Sequence, residues 1–102
     1  MYASVITGQI QLGKFDEFLQ LWQDKLAPAL KQLKGFKGAF VLTDRETNSV
    51  QAITLYETRD QAHAVQASGR FQELAAMLGQ TIVRDSGVRT VYDVSIQVMN
   101  PS

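Results

Sequence analysis

An apolar stripe that recurs every three or four residues in the first third of the chain constrains its fold most strongly. Such spacing places the apolar side chains on one face of an α-helix, so the sequence predicts a helix over residues 14–33. A helix of this kind must bury its apolar face against a second layer of structure. The stripe consists of Phe15, Phe18, Leu19, Trp22, Leu26, Leu30 and Leu33.

Pro28 lies deep inside this predicted helix. Proline lacks a backbone N–H, and its ring crowds the carbonyl four residues earlier, which here belongs to Asp24. We therefore expect a kink at Pro28. Gly13 is the predicted N-cap of the helix, and Gly35 is expected at its C-terminal end with a positive φ, which glycine adopts without strain.

Four short segments have the β-branched and aromatic composition of strands. They cover residues 2–10, 36–43, 49–57 and 88–98. The second and third flank a polar five-residue loop, which is typical of an antiparallel hairpin. The last segment alternates, so that one face carries Val88, Tyr92, Val94, Ile96 and Val98.

A second helix is predicted after the third strand. Thr58 and Gln61 have the spacing of a capping box, in which each side chain bonds the other residue's backbone N–H. Gly69 weakens the middle of this helix by about 1 kcal/mol relative to Ala, and Ser68 is a second potential N-cap, so the helix is expected to divide in two. Gly79 is the expected end. The predicted buried stripe is Ala64, Ala67, Phe71, Leu74, Ala75 and Leu78.

The resulting element order is β-α-β-β-α-β. This order predicts an α+β, ferredoxin-like fold, in which a four-stranded antiparallel sheet carries both helices on one face. The chain has 102 residues, so a single domain over residues 1–102 is expected.

The second strand suggests what lies on the other face of the sheet. Its two faces are both apolar, because Phe40 and Leu42 alternate with Ala39 and Val41. An uncovered apolar face usually meets a partner, and two-fold self-association is the commonest arrangement. We therefore predict a homodimer whose sheets face each other. Gly38 in this strand suggests the close approach of another backbone or of a ligand.

Composition excludes several classes of function. Ten basic and ten acidic residues give no net charge, so neither nucleic acid nor a membrane surface is an expected partner. The chain contains one histidine and no cysteine, so no metal site and no disulfide is expected. The sequence shows no signal peptide and no apolar run of the roughly 20 residues that span a bilayer, so a cytoplasmic protein is expected.

A few side chains are candidates for chemistry. His63 suits proton transfer, although a surface histidine without a role is the commoner outcome. Trp22 could form an aromatic wall for a flat ligand, but its regular spacing also fits core packing. Tyr56 and Tyr92 carry hydroxyls that need partners if buried, and packing is again the commoner role.

Four features together resemble the antibiotic biosynthesis monooxygenase family of dimeric α/β-barrel proteins. They are Pro28 late in the first helix, the joint Lys34-Gly35-Phe36-Lys37-Gly38, the segment Leu55-Tyr56-Glu57-Thr58 and the segment Val91-Tyr92-Asp93-Val94. The resemblance covers nearly the whole chain, and its motifs are mainly structural.

The resemblance implies a small homodimer with a cavity between sheet and helices. Some members of this family oxidise phenolic or quinol-like aromatics with O₂ and use no flavin, metal or haem, so no cofactor is expected. In this interpretation His63 and Tyr56 are catalytic, and Trp22, Tyr92 and Phe40 contact the substrate.

The sequence departs from a related branch that degrades haem. That branch uses an Asn on the first strand and a Trp and a His on the second helix, where this chain has Thr7, Val65 and Ala75. Haem degradation is therefore disfavoured. The main hypothesis is a cofactor-independent monooxygenase acting on a small aromatic. The alternatives are a non-catalytic module that binds a small apolar ligand or a protein partner, and an isomerase or other proton-transfer enzyme.

Overall fold

The chain forms a four-stranded antiparallel sheet in the order β2-β3-β1-β4 with helices packed on it, which confirms the predicted fold class. The structure is a computed structural model that describes residues 1–100. In chain order the elements are β1 (Tyr2–Gln9), α1 (Phe15–Leu21), a π-helical segment (Trp22–Leu26), α2 (Ala27–Lys31), β2 (Phe36–Asp44), β3 (Ser49–Tyr56), α3 (Arg59–Ala67), α4 (Gly69–Gly79) and β4 (Val88–Asp93).

The register of the sheet decides which side chains meet the helices. In β1, Ser4 pairs with Thr54 of β3 and with Val91 of β4, so alternate residues of the three strands share one face. We call the face that carries Val50 and Ala52 the covered face, because both residues belong to the core formed with the helices. The opposite side is the open face. The core residues are Ile10, Phe15, Phe18, Trp22, Leu26, Ala29, Leu30, Val50, Ala52 and Leu74.

The first helical region is irregular before Pro28, whereas a kink was predicted at Pro28 itself. A π-helical segment precedes Pro28, and the N–H of Ala27 donates to the carbonyl of Trp22, five residues earlier. This wider turn keeps both Trp22 and Leu26 buried. The predicted N-cap is wrong by one residue: Lys14 caps the helix, while Gly13 has φ +80° in the preceding turn.

The second helical region divides at Ser68, as predicted, because Ser68 has an extended backbone (φ −74°, ψ 124°). The capping box is also confirmed, since the N–H of Gln61 donates to Thr58 Oγ1 at 3.2 Å and the N–H of Thr58 donates to Gln61 Oε1 at 3.1 Å. Gly79 is the last helical residue, two positions before the place of a capping glycine, because Gln80 is the C-cap.

The predicted buried stripe is wrong in α3. Ala64 and Ala67 are exposed, and Ala62 is completely buried in their place. The predicted stripe carried one helical phase through both halves, whereas the extended residue at Ser68 changes the phase between α3 and α4. In α4 the prediction holds for Leu74, which is buried.

β4 is shorter than predicted and ends at Asp93. The N–H of Val94 still donates to the carbonyl of Met1 at 2.9 Å, which continues the ladder with β1 by one bond. No described strand lies beside residues 95–100 to complete further hydrogen bonds, so the alternating sequence there forms no strand in the single chain.

A glycine joins the first helical region to β2 and holds α3 in place. Gly35 has φ +84°, which confirms the predicted positive φ, although the helix has already ended at Lys31. Its carbonyl accepts the N–H of Glu57 at 2.8 Å. A Cβ on Gly35 would lie 1.9 Å from Gln61 Oε1, the atom that closes the capping box. The joint therefore has room only for glycine.

We expect Gly35→Ala to lower the free energy of unfolding by about 1–3 kcal/mol, because a left-handed backbone costs an L-residue about 1–2 kcal/mol and Gln61 must also leave its cap. Urea denaturation followed by circular dichroism measures this loss. Gly69→Ala is the matched control, since no atom lies within 4 Å of its Cβ position and its φ is not positive. Equal stability of the two variants would contradict the role of the joint.

Candidate functional site

A cavity of about 580 Å³ lies between the covered face of the sheet and the helices. This volume is in the range of sites that hold a drug-sized ligand. Its walls are mostly apolar, and the helical side includes Phe18, Trp22, Leu26, Leu30, Phe71 and Leu78. Ile6 on the floor is 42% exposed, so the cavity is open to solvent.

Small residues on the sheet create this space. Protein interiors are close-packed, so a void of this size needs positions where side chains do not reach across. The covered face supplies them in Ser4 and Gly8 of β1 and in Ala52 and Thr54 of β3. On the helical side, Ala75 and Gly79 of α4 are also small. The same face that packs the core therefore leaves room for a ligand.

Trp22 and Tyr56 both line the cavity, where they were predicted to lie. Trp22 is 8% exposed and belongs to the π-helical segment. Tyr56 is the last residue of β3 and is 2% exposed. Its ring packs edge-to-face on Phe36, with ring centroids 6.2 Å apart, which fixes its orientation.

Arg89 is the one charged residue that lines the cavity within residues 1–100. It lies opposite Ile6 in the ladder between β1 and β4, which turns it to the covered face. One guanidinium nitrogen, Nη2, donates to the carbonyl of Ala62 in α3 at 2.6 Å. Burial lowers the pKa of Arg89, and nearby Tyr56 opposes this shift.

Sequence reasoning did not select Arg89. The alternation of β4 separated Arg89 from Val88 and Tyr92, but alternation alone does not identify the face that meets the helices. The signal available was that Arg89 is the only basic residue of β4. Only the pairing of β4 with β1 shows that this arginine lies beside the cavity.

His63 does not reach the cavity. It is exposed on α3, where its Nε2 accepts a hydrogen bond from Nε of Arg59 at 3.3 Å. Ala62, the preceding residue, is the one that faces the core, and the next position on a helix points about 100° away. The predicted catalytic residues His63 and Tyr56 are therefore not brought together by the fold.

Phe40 and Tyr92 lie on the open face, away from the cavity. They are 54% and 55% exposed. Tyr92 pairs with Ala3, whose neighbour Ser4 is on the covered face. A β-bulge between Phe36 and Gly38 shifts the register of β2, so Phe40 pairs with Ile53 on the open face. The bulge and the face of β4 explain why these two predicted substrate contacts lie elsewhere.

The described residues hold no group of three or more His, Cys, Asp or Glu that could bind a metal ion. Within the same residues, every helix is too short or too polar to cross a membrane.

Trp22 is the only tryptophan, so its fluorescence should report a ligand in this cavity. We expect a soluble naphthoquinone to quench it saturably, and Ala52→Leu to weaken the binding at least tenfold by filling the floor. Gln51→Leu, on the open face of the same strand, is the matched control and should bind like the wild type. Equal quenching curves for both variants would place the ligand outside this cavity.

Comparison with known proteins shows that this chain is similar to several of them in three-dimensional structure. No family model matches the sequence, and no curated relative matches it. A point mutant of SnoaB, a cofactor-independent oxygenase from Streptomyces nogalater, matches with a TM-score of 0.82 at 18% identity over 97% of each chain. The ActVA-Orf6 monooxygenase of Streptomyces coelicolor, in complex with nanaomycin D, matches with a TM-score of 0.81 at 13% identity over 97% of this chain and 91% of that one.

A candidate antibiotic biosynthesis monooxygenase from Deinococcus radiodurans matches with a TM-score of 0.79 at 17% identity, over 98% of this chain and 100% of that one. At these identities the likeness concerns the fold. The resemblance predicted from the four motifs is thus confirmed at that level, and the chain has the fold of the antibiotic biosynthesis monooxygenases.

Proposed function

We propose that this protein is a cofactor-independent monooxygenase of the antibiotic biosynthesis monooxygenase family, which oxidises a phenol- or quinol-type aromatic with O₂. The observation that carries the proposal is an apolar, aromatic-walled cavity with Arg89 as its one charged lining residue among residues 1–100. The two similar Streptomyces proteins, named as a cofactor-independent oxygenase and as a monooxygenase, support it as relatives in fold.

The proposed chemistry uses electrons from the substrate itself. The ionised phenol transfers one electron to O₂, and the resulting substrate radical and superoxide combine at a ring carbon. Loss of water then leaves a quinone, so one oxygen atom enters the product and the other leaves as water. No external reductant is needed, because the substrate itself supplies the electrons that reduce the second oxygen atom to water.

The side chains have distinct parts in this proposal. The guanidinium of Arg89 stabilises the phenolate, and it acts more strongly than in water because most of the groups around it are apolar. Tyr56 orients the ionised oxygen by donating its hydroxyl proton in a hydrogen bond. Trp22 stacks on the flat ring system.

A second candidate is a non-catalytic module that binds a small apolar or anionic aromatic. The observation that favours it is the charge content of the cavity: its lining, within the described residues, includes no histidine and no carboxylate to move protons. Binding alone needs neither group. Turnover of O₂ separates the two candidates.

We expect oxygen uptake above the autoxidation rate when the protein meets hydroquinones or anthrone-type phenols. Arg89→Met should lower kcat/KM by about 10²–10³, as loss of one donor to a developing anion does in other enzymes. Arg70→Met, an exposed arginine on α4, is the matched control and should retain full activity.

His63→Ala tests the sequence-based assignment in the same assay. Loss of activity in His63→Ala with retention in Arg89→Met would reverse the roles proposed for these residues. Oxygen uptake that stays at the autoxidation rate for every compound when the protein is added would favour the binding module.

We also propose that the open face is the contact surface of a homodimer. Phe40, Leu42, Val88 and Tyr92 expose about half of their apolar side chains there. Gly38 pairs with Leu55 on the same face and has no atom within 4 Å of its Cβ position, which leaves space for a second sheet. Burial of such a surface contributes about 25 cal/mol per Å² of apolar area.

Phe40→Glu should convert the dimer to a monomer, because the interface would have to bury an unpaired carboxylate. Sedimentation velocity at micromolar concentration measures the effect. Leu12→Glu is the matched control, since Leu12 is 88% exposed in the turn after β1 and belongs to no strand. A wild-type protein that sediments as a monomer would rule out this interface.

A further inference from the structure

We propose that a groove on the outer surface is a second entrance to the cavity and that the side chain of Phe71 is its gate. The groove has a volume of about 410 Å³ and lies between the end of the first helical region and the beginning of α4. We call it the outer groove. Besides Phe71, it is lined by Pro28, Ala29, Gln32, Leu33, Ser68 and Arg70. The inference concerns access to the cavity, and it holds whether the protein is an enzyme or a binding module.

The partition between the outer groove and the cavity is thinnest at Phe71. Within residues 1–100, Phe71 is the one residue that lines both spaces. Beside it, α2 presents Leu30 to the cavity and Ala29 to the outer groove, so the helix itself separates the two spaces there. At Phe71 a single aromatic side chain divides them.

The ring of Phe71 is less restrained than a core side chain. A ring in a close-packed interior has neighbours on every side. Phe71 packs against the core but is only partly buried, and it has open space on two sides. Rotation about its side-chain bonds therefore meets less resistance than rotation of a fully buried ring.

The backbone that carries Phe71 also has few restraints. Phe71 is the third residue of α4, and the first N–H groups of a helix have no partner within the helix. Ser68 has an extended backbone, and its side chain makes no capping hydrogen bond. Gly69 has no atom within 4 Å of its Cβ position. Hinges often consist of a few such residues at the end of an element, so the first turn of α4 can move with the ring.

Gln72 makes two hydrogen bonds across the break between α3 and α4. Its backbone N–H donates to the carbonyl of Ser68 at 3.0 Å, and its side-chain Nε2 donates to the carbonyl of Gln66 at 3.1 Å. The second bond is exposed, so water can replace it when the turn moves. Opening therefore leaves no buried polar group of this bond without a partner.

The shape of the gate defines what can pass. The space that Phe71 vacates has the cross-section of a phenyl ring, so a flat molecule can enter edge-on. Pro28, Ala29 and Leu33 give the outer groove an apolar surface on which a small aromatic makes its first contact. The opening beside Ile6 remains available, so the cavity has an entrance on each side of α4.

Collisional quenching of Trp22 fluorescence by acrylamide tests this inference. Trp22 lines the cavity and is the only tryptophan, and acrylamide is a small neutral molecule that needs no binding site. Phe71→Ala leaves a space that joins the cavity to the outer groove, so we expect the collisional rate constant to rise about threefold. Time-resolved fluorescence measures this rate constant.

A label in the outer groove shows whether the added access passes through it. The chain has no cysteine, so Gln32→Cys provides a single site for N-cyclohexylmaleimide, at a position that lines the outer groove but not the cavity. Labelled Phe71→Ala/Gln32→Cys should return to the wild-type rate constant. Labelled Phe71→Ala/Gln20→Cys is the matched control and should keep the raised value, since Gln20 is exposed and lines neither space.

An unchanged rate constant in Phe71→Ala would overturn the inference. A raised rate constant that persists with the label at position 32 would also overturn it, because the variant would then only have a loosened fold. If Phe71→Ala does not fold, labelled Gln32→Cys in the otherwise wild-type chain decides the question. We expect its rate constant to fall about twofold below that of labelled Gln20→Cys, because the gate no longer opens to solvent. Equal values would show that the outer groove is no entrance.

Discussion

The pairing of β1 with β3 on one side and β4 on the other determines the rest of this molecule. It places small residues such as Ser4 and Ala52 on the face that meets the helices, and this choice leaves a cavity where a close-packed core would otherwise form. The same register turns Arg89 toward that cavity and Tyr92 away from it. A slip of one residue would exchange the two faces and remove both the cavity floor and its cation.

Local signals in the sequence were sufficient for the elements and their order. The capping box at Thr58 and the break at Ser68 depend on short-range chemistry, and the structure has both. The π-helical segment was not predictable, because Trp22 and Leu26 fit an ordinary α-helical stripe equally well. The bulge after Phe36 was hidden for a similar reason: both parities of β2 are apolar, so a change of face leaves no trace in the pattern.

The candidate site was less predictable than the fold. His63 was selected by its chemistry, but it is exposed because α3 turns Ala62 to the core and the next position points elsewhere. Arg89 looked like the polar half of an alternating strand, and its position beside Tyr56 and the cavity depends on contacts between distant parts of the chain. Residue type alone therefore pointed to His63 as a proton carrier, whereas the tertiary structure places the cation of Arg89 beside the cavity.

The glycine joint connects the fold to this cation through a short series of contacts. Gly35 leaves room for Gln61, and Gln61 closes the cap that starts α3. Ala62, the next residue, offers the carbonyl that holds Arg89 at 2.6 Å. A guanidinium held by one bond at the edge of an apolar space keeps its direction while its other donors stay free. The motif that first appeared only structural therefore also positions the one charge in the cavity lining of residues 1–100.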